Sequence, residues 1–227
     1  MAMVQQATER RTSVDAVFDH LYSEISTLKL LPGAKISEAE IATLFGVSRQ
    51  PVRDAFSRLA NHDLVVIRPQ RATEVKRFSS EKIKTARFVR AAVETKILQC
   101  AAEVCAPEGI KALDASLKEQ EVAVKANDSQ YFGKLDYQFH KALALVGGVE
   151  FAFSVIEKEK AKVDRLCVLS LSQNDRLDLL LEDHMLIADR VKAKDVAGAA
   201  EIGMLHLSRL DDTIAVIRTE HADYFDD

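Results

Sequence analysis

The chain has 227 residues, of which 48% are hydrophobic and 29% are charged, with a formal net charge of −4. No segment approaches the ~20 consecutive apolar residues that cross a bilayer, and the N-terminal segment lacks the apolar run of a signal peptide. We therefore expect no membrane contact and a place in the cytoplasm. Cys100, Cys105 and Cys167 form no C-x-x-C pair, which argues against a disulfide framework or a thiolate zinc site and favours buried apolar cysteines.

The first predicted element is an amphipathic helix that ends at a turn. Its apolar residues recur at the spacing that puts them on one helix face: Val14, Val17, Phe18, Leu21, Ile25 and Leu28. Pro32 and Gly33 then predict a turn. We expect Ser37 to cap a short second helix, with Glu40 completing a capping box and Gly46 at its C-terminal end. The predicted inner face of this helix is Ile41, Leu44 and Phe45.

A third helix is predicted from about 49 to 61, with Ser48 as its cap and Pro51 in its first turn. Its predicted inward residues are Val52, Phe56 and Leu59. Its predicted outer residues are Arg49, Gln50, Arg53 and Ser57. Two short helices joined by Gly-Val-Ser predict a helix-turn-helix, whose second helix enters the major groove of DNA by its N-terminal end. There an arginine side chain suits guanine and a glutamine side chain suits adenine.

The residues after this helix predict a β-hairpin. Segments 64–67 and 73–77 favour two short strands around a tip at Pro69–Ala72. A hairpin in this position is a wing, and Arg68 and Arg71 at its tip suit contacts with phosphate or a narrow minor groove. The charge distribution agrees with this assignment. Residues 1–77 carry 11 Lys and Arg and nine Asp and Glu and are weakly basic, whereas residues 78–227 carry 20 Lys and Arg and 26 Asp and Glu and are acidic. The alternative is that the two short helices merely belong to a core.

The segment from Leu21 to Val75 resembles the winged helix of the GntR family of bacterial regulators. The resemblance is carried by L-K-L-L-P-G-A-K-I-S-E, by I-A-T-L-F-G-V-S-R-Q-P-V-R-D-A-F-S-R-L and by L-V-V-I-R-P-Q-R-A-T-E-V. It implies that the operator is contacted by Ser48, Arg49, Gln50 and Arg53. The chain departs from the family pattern at Ala72, where many members have Gly at the wing tip, and at Ala39, where some have a basic residue.

From Ser79 onward the pattern is helical throughout. Six helices are predicted, at roughly 80–105, 108–126, 129–146, 150–171, 175–193 and 195–219. Their breakpoints are Pro107, Asn127-Asp128, Gly147-Gly148, Gln173-Asn174 and Lys194-Asp195. The predicted architecture is thus mainly α: a winged helix-turn-helix domain at 1–77 and an all-α six-helix bundle at 78–227.

Four polar residues fall on the predicted inner faces of this bundle. Asp136 and His140 lie four residues apart and so project from one side of one helix, while His184 and His206 lie on the apolar faces of two later helices. Three imidazoles and one carboxylate suit a divalent metal, with room for two further ligands in an octahedral site. The alternatives are that each histidine is a satisfied core residue and that the Asp136–His140 pair is a simple hydrogen bond.

The C-terminal part resembles the FCD ligand-binding domain of the FadR subgroup within that family, of the VanR type with six helices. The resemblance is carried by R-A-A-V-E at 90–94, L-D-Y-Q-F-H-K-A-L at 135–143, D-H-M-L-I-A-D-R-V at 183–191 and M-L-H-L at 204–207. It implies that Asp136, His140, His184 and His206 bind a divalent metal, zinc first, with nickel, manganese, cobalt or iron as alternatives. It also implies that Arg90 binds a small carboxylate effector, the alternative being a structural ion pair with Glu94. Gly147-Gly148-Val149 departs from the Gly-Asn of many members, with only local consequences expected at the turn.

Together the two resemblances imply a homodimer that binds a palindromic operator and responds to a metabolite, with repression relieved by the effector. Three alternatives remain open at this point: a sensor of the metal itself, a metal-dependent enzyme, and a helical domain that only dimerises. Catalysis is disfavoured because the sequence shows no separate general base, no Gly-rich phosphate loop and no nucleophile elbow.

Overall fold

The computed structural model of the protein describes residues 12–171 and 176–226. The chain divides into two compact units, Met1–Arg77 and Phe78–Asp227. Each unit has a hydrophobic core of its own, and the two are described separately below. The fold class is the one that the sequence predicts, a small winged helix-turn-helix followed by a larger helical unit.

From residue 12 onward, the first unit forms three helices and a three-stranded sheet. In chain order its elements are α1 (Ser13–Ser26), β1 (Lys35–Ile36), α2 (Glu38–Phe45), α3 (Arg49–Asn61), β2 (Val65–Val66) and β3 (Thr73–Val75). The strands lie in the order β1-β3-β2 and pair antiparallel, with Lys35 opposite Glu74 and Val65 opposite Val75. The two wing strands are shorter than predicted. β1 was not predicted, because two residues are too few to show an alternating pattern of apolar and polar side chains.

The core of this unit lies between α1 and α3. Val17, Leu21 and Ile25 of α1 are buried, as are the predicted inward residues Val52, Phe56 and Leu59 of α3. Burying side chains of this size is worth about 1.5–3 kcal/mol each before the opposing loss of chain entropy. This packing holds α3 so that its opposite face is exposed to solvent.

Four local predictions in this unit are wrong in whole or in part. α1 ends at Ser26, because Leu28 takes a left-handed backbone with φ of 59° and so lies beyond the helix. Leu44 is 66% exposed rather than inward, since an eight-residue helix buries only a narrow face, here Ala42. Ser48 occupies the N-cap of α3, but its side chain makes no capping hydrogen bond.

The fourth wrong detail concerns the start of α2. Ser37 caps this helix by accepting from the Glu40 N–H at 3.4 Å, which is one half of the predicted capping box. Among the described residues, the other half of the box, a bond from the Ser37 N–H to the Glu40 side chain, is absent. Glu40 is instead exposed to solvent. At the other end of α2, Gly46 takes the predicted left-handed C-terminal position with φ of 62°, which only glycine adopts without strain.

The second unit is a bundle of six long helices. They are α4 (Ser80–Val104), α5 (Pro107–Lys125), α6 (Ser129–Val146), α7 (Glu150–Leu171), α8 (Arg176–Lys192) and α9 (Val196–Glu220), followed by a 3-10 turn at Ala222–Tyr224. The boundaries of these six helices lie within one residue of their predictions. The predicted breakpoint Gln173-Asn174 and the predicted start at residue 175 lie outside the described residues, as does the side chain of Cys167. Of the other cysteines, Cys105 is buried and Cys100 is half-buried.

Gly203 of α9 lies close to the Leu98 side chain of α4. A Cβ atom built on Gly203 would lie 2.1 Å from Cδ1 of Leu98, far inside van der Waals contact. A side chain at residue 203 would therefore require the Leu98 side chain to move.

The end of the chain packs against the start of this second unit. The Phe78 N–H donates to the Tyr224 carbonyl at 2.8 Å, and the Asp226 N–H donates to the Phe78 carbonyl at 3.0 Å. The rings of Phe78 and Phe225 lie 5.4 Å apart, and both side chains belong to a buried cluster with Ile217. No helix among the described residues is long and apolar enough to span a membrane.

Candidate DNA interface and candidate metal centre

The exposed face of α3 carries the residues that the sequence assigns to DNA contact. Ser48, Arg49 and Gln50 are exposed at its N-terminal end, where a helix presents its unpaired N–H groups. The Ser48 hydroxyl is not used as a cap, so it suits a hydrogen bond to a phosphate oxygen. Arg53 lies one turn further along, with 55% of its side chain exposed.

Two of these side chains already contact carboxylates within the chain. Gln50 Nε2 donates to Oδ1 of Asp54 at 2.9 Å, and Arg53 Nε donates to Oε2 of Glu38 at 3.0 Å. Both contacts are solvent-exposed, so each contributes little to stability. Their effect is to hold the amide of Gln50 and the guanidinium of Arg53 in defined positions on the outer face of α3.

The wing forms a cleft that the sequence did not predict. A depression of about 480 Å³ is lined by Lys35, Arg68, Arg71, Ala72 and Glu74. It brings the two predicted wing-tip arginines together with Lys35 of β1. Lys35 was missed because β1 was missed, although the order of exposed Lys35 and buried Ile36 is what an edge strand requires. Three cations around one cleft suit an anionic partner.

The second unit brings the four predicted metal ligands together. Asp136 and His140 come from α6, His184 from α8 and His206 from α9, and one ligand atom of each lies within 4.8 Å of the others. Oδ1 of Asp136 lies 3.8 Å from Nε2 of His140 and 3.6 Å from Nε2 of His184. His184 is fully buried, His206 is 7% exposed and His140 is 8% exposed.

Each of the three imidazoles faces a different polar side chain at its Nδ1 atom. His140 Nδ1 lies 3.0 Å from Oε2 of Glu94 on α4. His184 Nδ1 lies 2.6 Å from Oε1 of Gln120 on α5. His206 Nδ1 lies 3.5 Å from Oδ2 of Asp183 on α8. A hydrogen-bond acceptor at Nδ1 keeps the proton of a neutral imidazole on that atom. The lone pair is then on Nε2, which is free to bind a metal.

Two arginines neutralise the carboxylates of Glu94 and Asp183, which face the histidines from outside the four-residue centre. Arg90 Nε donates to Oε1 of Glu94 at 2.7 Å, and the side chains of both residues are at most 10% exposed. Arg209 bonds both oxygens of Asp183, at 3.2 and 3.3 Å. The alternative weighed for Arg90, an ion pair with Glu94, is therefore present in the structure. Its contact with an effector stays a prediction.

The electrostatics of the centre reflect burial opposed by these pairs. Burial by itself would raise the pKa of Glu94, but the charges of Arg90 and His140 outweigh it, so the pKa of Glu94 lies well below its ordinary value. Burial is likewise outweighed at Asp183, where bonds from His206 and Arg209 lower the pKa. At His206 burial prevails and lowers the pKa, which favours the neutral imidazole that a metal requires.

Gln120, Asp183 and Arg209 were missed as functional residues. Gln120 is a polar residue on the buried face of α5, which also contains Leu113 and Leu117. A polar residue on an otherwise apolar helix face was the sequence signal that could have identified it. Asp183 precedes His184 directly in sequence but is oriented toward Arg209 and His206 of α9. Such contacts between helices follow from packing, which a single sequence does not display.

Two family models match the chain. Residues 13–75 match "Bacterial regulatory proteins, gntR family", and residues 86–209 match "FCD domain". The first match covers the helix-turn-helix and wing strands, and the second spans all four clustered polar residues.

Similarity to relatives in sequence and in solved structure extends over nearly the whole chain. The HTH-type transcriptional repressor RspR of Escherichia coli K12 is 31% identical over 209 residues, which is 92% of each chain. An HTH-type transcriptional regulator of Streptomyces ambofaciens is 31% identical over 218 residues, covering 96% of this chain and 92% of its own. The solved structure of E. coli McbR/YncC superposes with a TM-score of 0.71 at 20% identity, covering 92% of this chain and 99% of that one.

Proposed function

Because the chain belongs to the GntR family of bacterial transcriptional regulators, with an FCD domain after its winged helix, we propose that it is a homodimeric repressor controlled by a metal-bound carboxylate. Family membership confirms the expectation of a regulator rather than an enzyme. The observation that carries the finer proposal is the convergence of Asp136, His140, His184 and His206 in the core of the FCD unit. As a regulator of bacterial genes it is proposed to work in the cytoplasm.

In the proposed complex α3 enters the major groove of a palindromic operator. Arg49 and Arg53 suit guanine, Gln50 suits adenine, and Ser48 suits a phosphate. The wing cleft suits the backbone or minor groove of the flanking DNA through Lys35, Arg68 and Arg71. Two chains related by a two-fold axis would present two such helices to the two half-sites.

The four-residue centre fits a divalent metal. Two ligands bound to one cation at about 2.1 Å lie roughly 3 to 4 Å apart, and the ligand separations of 3.6 and 3.8 Å fall within this range. The Nε2 atom of His140 is buried and has no hydrogen-bond partner among the described residues, which is costly unless a ligand is bound there. Imidazole and carboxylate donors together suit zinc, nickel, cobalt, manganese or iron, and zinc remains the first choice.

Charge supports an anionic effector. Asp136, Glu94 and Asp183 supply three carboxylates around the rings, whereas Arg90 and Arg209 supply two guanidinium groups. A bound divalent cation, which supplies the Lewis acidity of the site, would turn this excess of one negative charge into an excess of one positive charge. A small carboxylate would neutralise it, and Arg90 is the residue proposed to orient that carboxylate.

The proposed response follows from differential binding. An effector alters DNA affinity only if it binds one arrangement of the helices better than another. The ligands come from α6, α8 and α9, so closing the site around an effector alters how these three helices pack. Repression relieved by the effector is the proposed direction, and the RspR relative, which is named a transcriptional repressor, supports it.

Elemental analysis of protein purified without a His tag or chelator tests the proposal first. We expect about one divalent metal per chain, lost in the double variant His184→Ala/His206→Ala and kept in His221→Ala, which changes a histidine beyond the end of α9. Absence of metal from the wild type after loading with zinc or nickel would overturn the metal site. DNA affinity that follows free metal alone, with no response to any carboxylate, would identify a metal sensor instead.

A further inference from the structure

Gln120 is a fully buried polar side chain outside the four-residue centre. It lies on α5, which contributes no ligand, and its Oε1 lies 2.6 Å from Nδ1 of His184. Its Nε2 donates to the Ser116 hydroxyl at 3.4 Å, one turn earlier on the same helix. An amide in an apolar interior is costly unless hydrogen-bonded, so its retention in this place calls for a reason.

In the structure the amide nitrogen of Gln120 faces the Ser116 hydroxyl and the amide oxygen faces the imidazole. An amide oxygen only accepts hydrogen bonds. In this orientation of the amide, His184 holds its proton on Nδ1. In a neutral ring this leaves the lone pair on Nε2, the atom that faces Asp136 at 3.6 Å.

Packing limits the ring as well as its proton. His184 stacks on Phe139, with centroids 4.4 Å apart, and lies parallel to Phe132 at 6.2 Å. These contacts define the plane of the ring but not which edge faces the centre, since both edges stack equally well. The bond to Gln120 selects the edge.

We propose that Gln120 is a positioning residue that selects the Nε2 edge and the Nδ1–H tautomer of His184 for metal binding. This inference rests on the proposed metal function. Gln120 differs from the other two partners of the centre, Glu94 and Asp183, because it is neutral. It orients its histidine without adding charge, and it can be replaced without leaving an unpaired arginine.

The test compares three variants at Gln120 and on its helix. Gln120→Leu removes the acceptor while keeping bulk, Gln120→Glu keeps an acceptor toward His184, and Leu113→Val removes one methylene from the core of the same helix. Nitrogen-15 NMR of the metal-free proteins near pH 8 reports the tautomer of His184, with the His184→Ala spectrum identifying its signals. Competition with a chromophoric chelator gives the affinity for zinc and for nickel.

We expect wild type and Gln120→Glu to hold the Nδ1–H tautomer and Gln120→Leu to show a mixture. Metal affinity should fall about 10- to 100-fold in Gln120→Leu, and should stay within a few-fold of wild type in Gln120→Glu and Leu113→Val. An unchanged tautomer and affinity in Gln120→Leu would overturn the proposal. An Nε2–H tautomer in the wild-type protein would also overturn it, and this measurement requires no variant. A wild type that binds no metal would overturn the proposed function, while the tautomer measurement would still decide the role of Gln120.

Discussion

Glu94 joins Arg90 to His140: its Oε1 accepts from Arg90 Nε at 2.7 Å, and its Oε2 lies 3.0 Å from His140 Nδ1. One buried carboxylate of α4 therefore neutralises the arginine assigned to the effector and orients a ligand of the candidate metal centre. The residue proposed to sense the carboxylate and the residue proposed to hold the metal are thus coupled through a single side chain.

This coupling predicts a large cost for Glu94→Gln. Removing one partner of a buried ion pair leaves the other charge uncompensated, and the metal-free protein should lose about 3–5 kcal/mol of its free energy of unfolding. Urea unfolding followed by circular dichroism measures the loss. The matched control is Glu121→Gln, which breaks the exposed i,i+4 pair with Lys125 and should change stability by less than about 0.5 kcal/mol. Equal effects of the two variants would contradict the structural role of Glu94.

Chelation should destabilise the helical unit if a metal is bound there. A ligand present at 100 times its dissociation constant adds about 2.7 kcal/mol to the stability of the folded state. We expect a lower melting temperature after treatment with a chelator, recovered by adding zinc or nickel, and no such shift in the His184→Ala/His206→Ala variant. A shift of equal size in that variant would place the metal elsewhere.

Lys35→Ala should weaken DNA binding without changing sequence preference. A cation that neutralises one phosphate releases condensed counterions, so its loss should reduce the slope of log affinity against log salt by about 0.9. Titrating operator and unrelated DNA at several salt concentrations measures this slope. Lys29→Ala removes a lysine that pairs with Glu24 away from the cleft, and this control should leave the slope unchanged. A Lys35→Ala slope equal to that of wild type would remove Lys35 from the interface.

Gln50→Ala should show the opposite behaviour. Gln50 is positioned by Asp54 on the outer face of α3, and a paired glutamine–adenine contact is worth about 1–3 kcal/mol of discrimination against the wrong base. Selection from a randomised operator library should therefore lose its preference at one base pair in each half-site while keeping the others. If all positions weakened together, Gln50 would be a backbone contact rather than a base reader.

The start of α1 should be sensitive to acid. Hydrogen bonds from Thr12 and Arg58 lower the pKa of Asp15 from 3.8 to about 2. A carboxylate whose folded pKa is depressed stabilises the fold fully above its unfolded pKa and loses this contribution as the pH falls through the folded value. Amide hydrogen exchange in α1 should thus be faster in Asp15→Asn than in wild type at pH 6, and the two should converge between pH 4 and 2. A difference that persists at pH 2 would contradict an electrostatic origin.

The sequence predicted long elements well and short ones poorly. Helices α4 to α9 span many turns of apolar periodicity between marked breaks, so their bounds came within a residue, and the i,i+4 spacing of Asp136 and His140 was readable for the same reason. β1 has only two residues and Leu44 lies on an eight-residue helix, where too few turns exist to define a face. Gln120 and Asp183 reach their histidines across helix interfaces, and their roles became visible only when the packing of α5, α8 and α9 was known.

The clasp between Phe78 and Phe225 bears on how the two units are separated for experiments. Strand-like hydrogen bonds join the residue that opens the helical unit to a residue near the end of the chain, and both rings are buried with Ile217. A fragment that begins at Ser79, or that stops at Glu220, would lose one of the two rings and expose the apolar surface that it covers. Such an exposed apolar surface promotes aggregation. A fragment expressed to study the bundle should therefore begin at or before Arg77 and retain Asp226, with any affinity tag attached through a spacer.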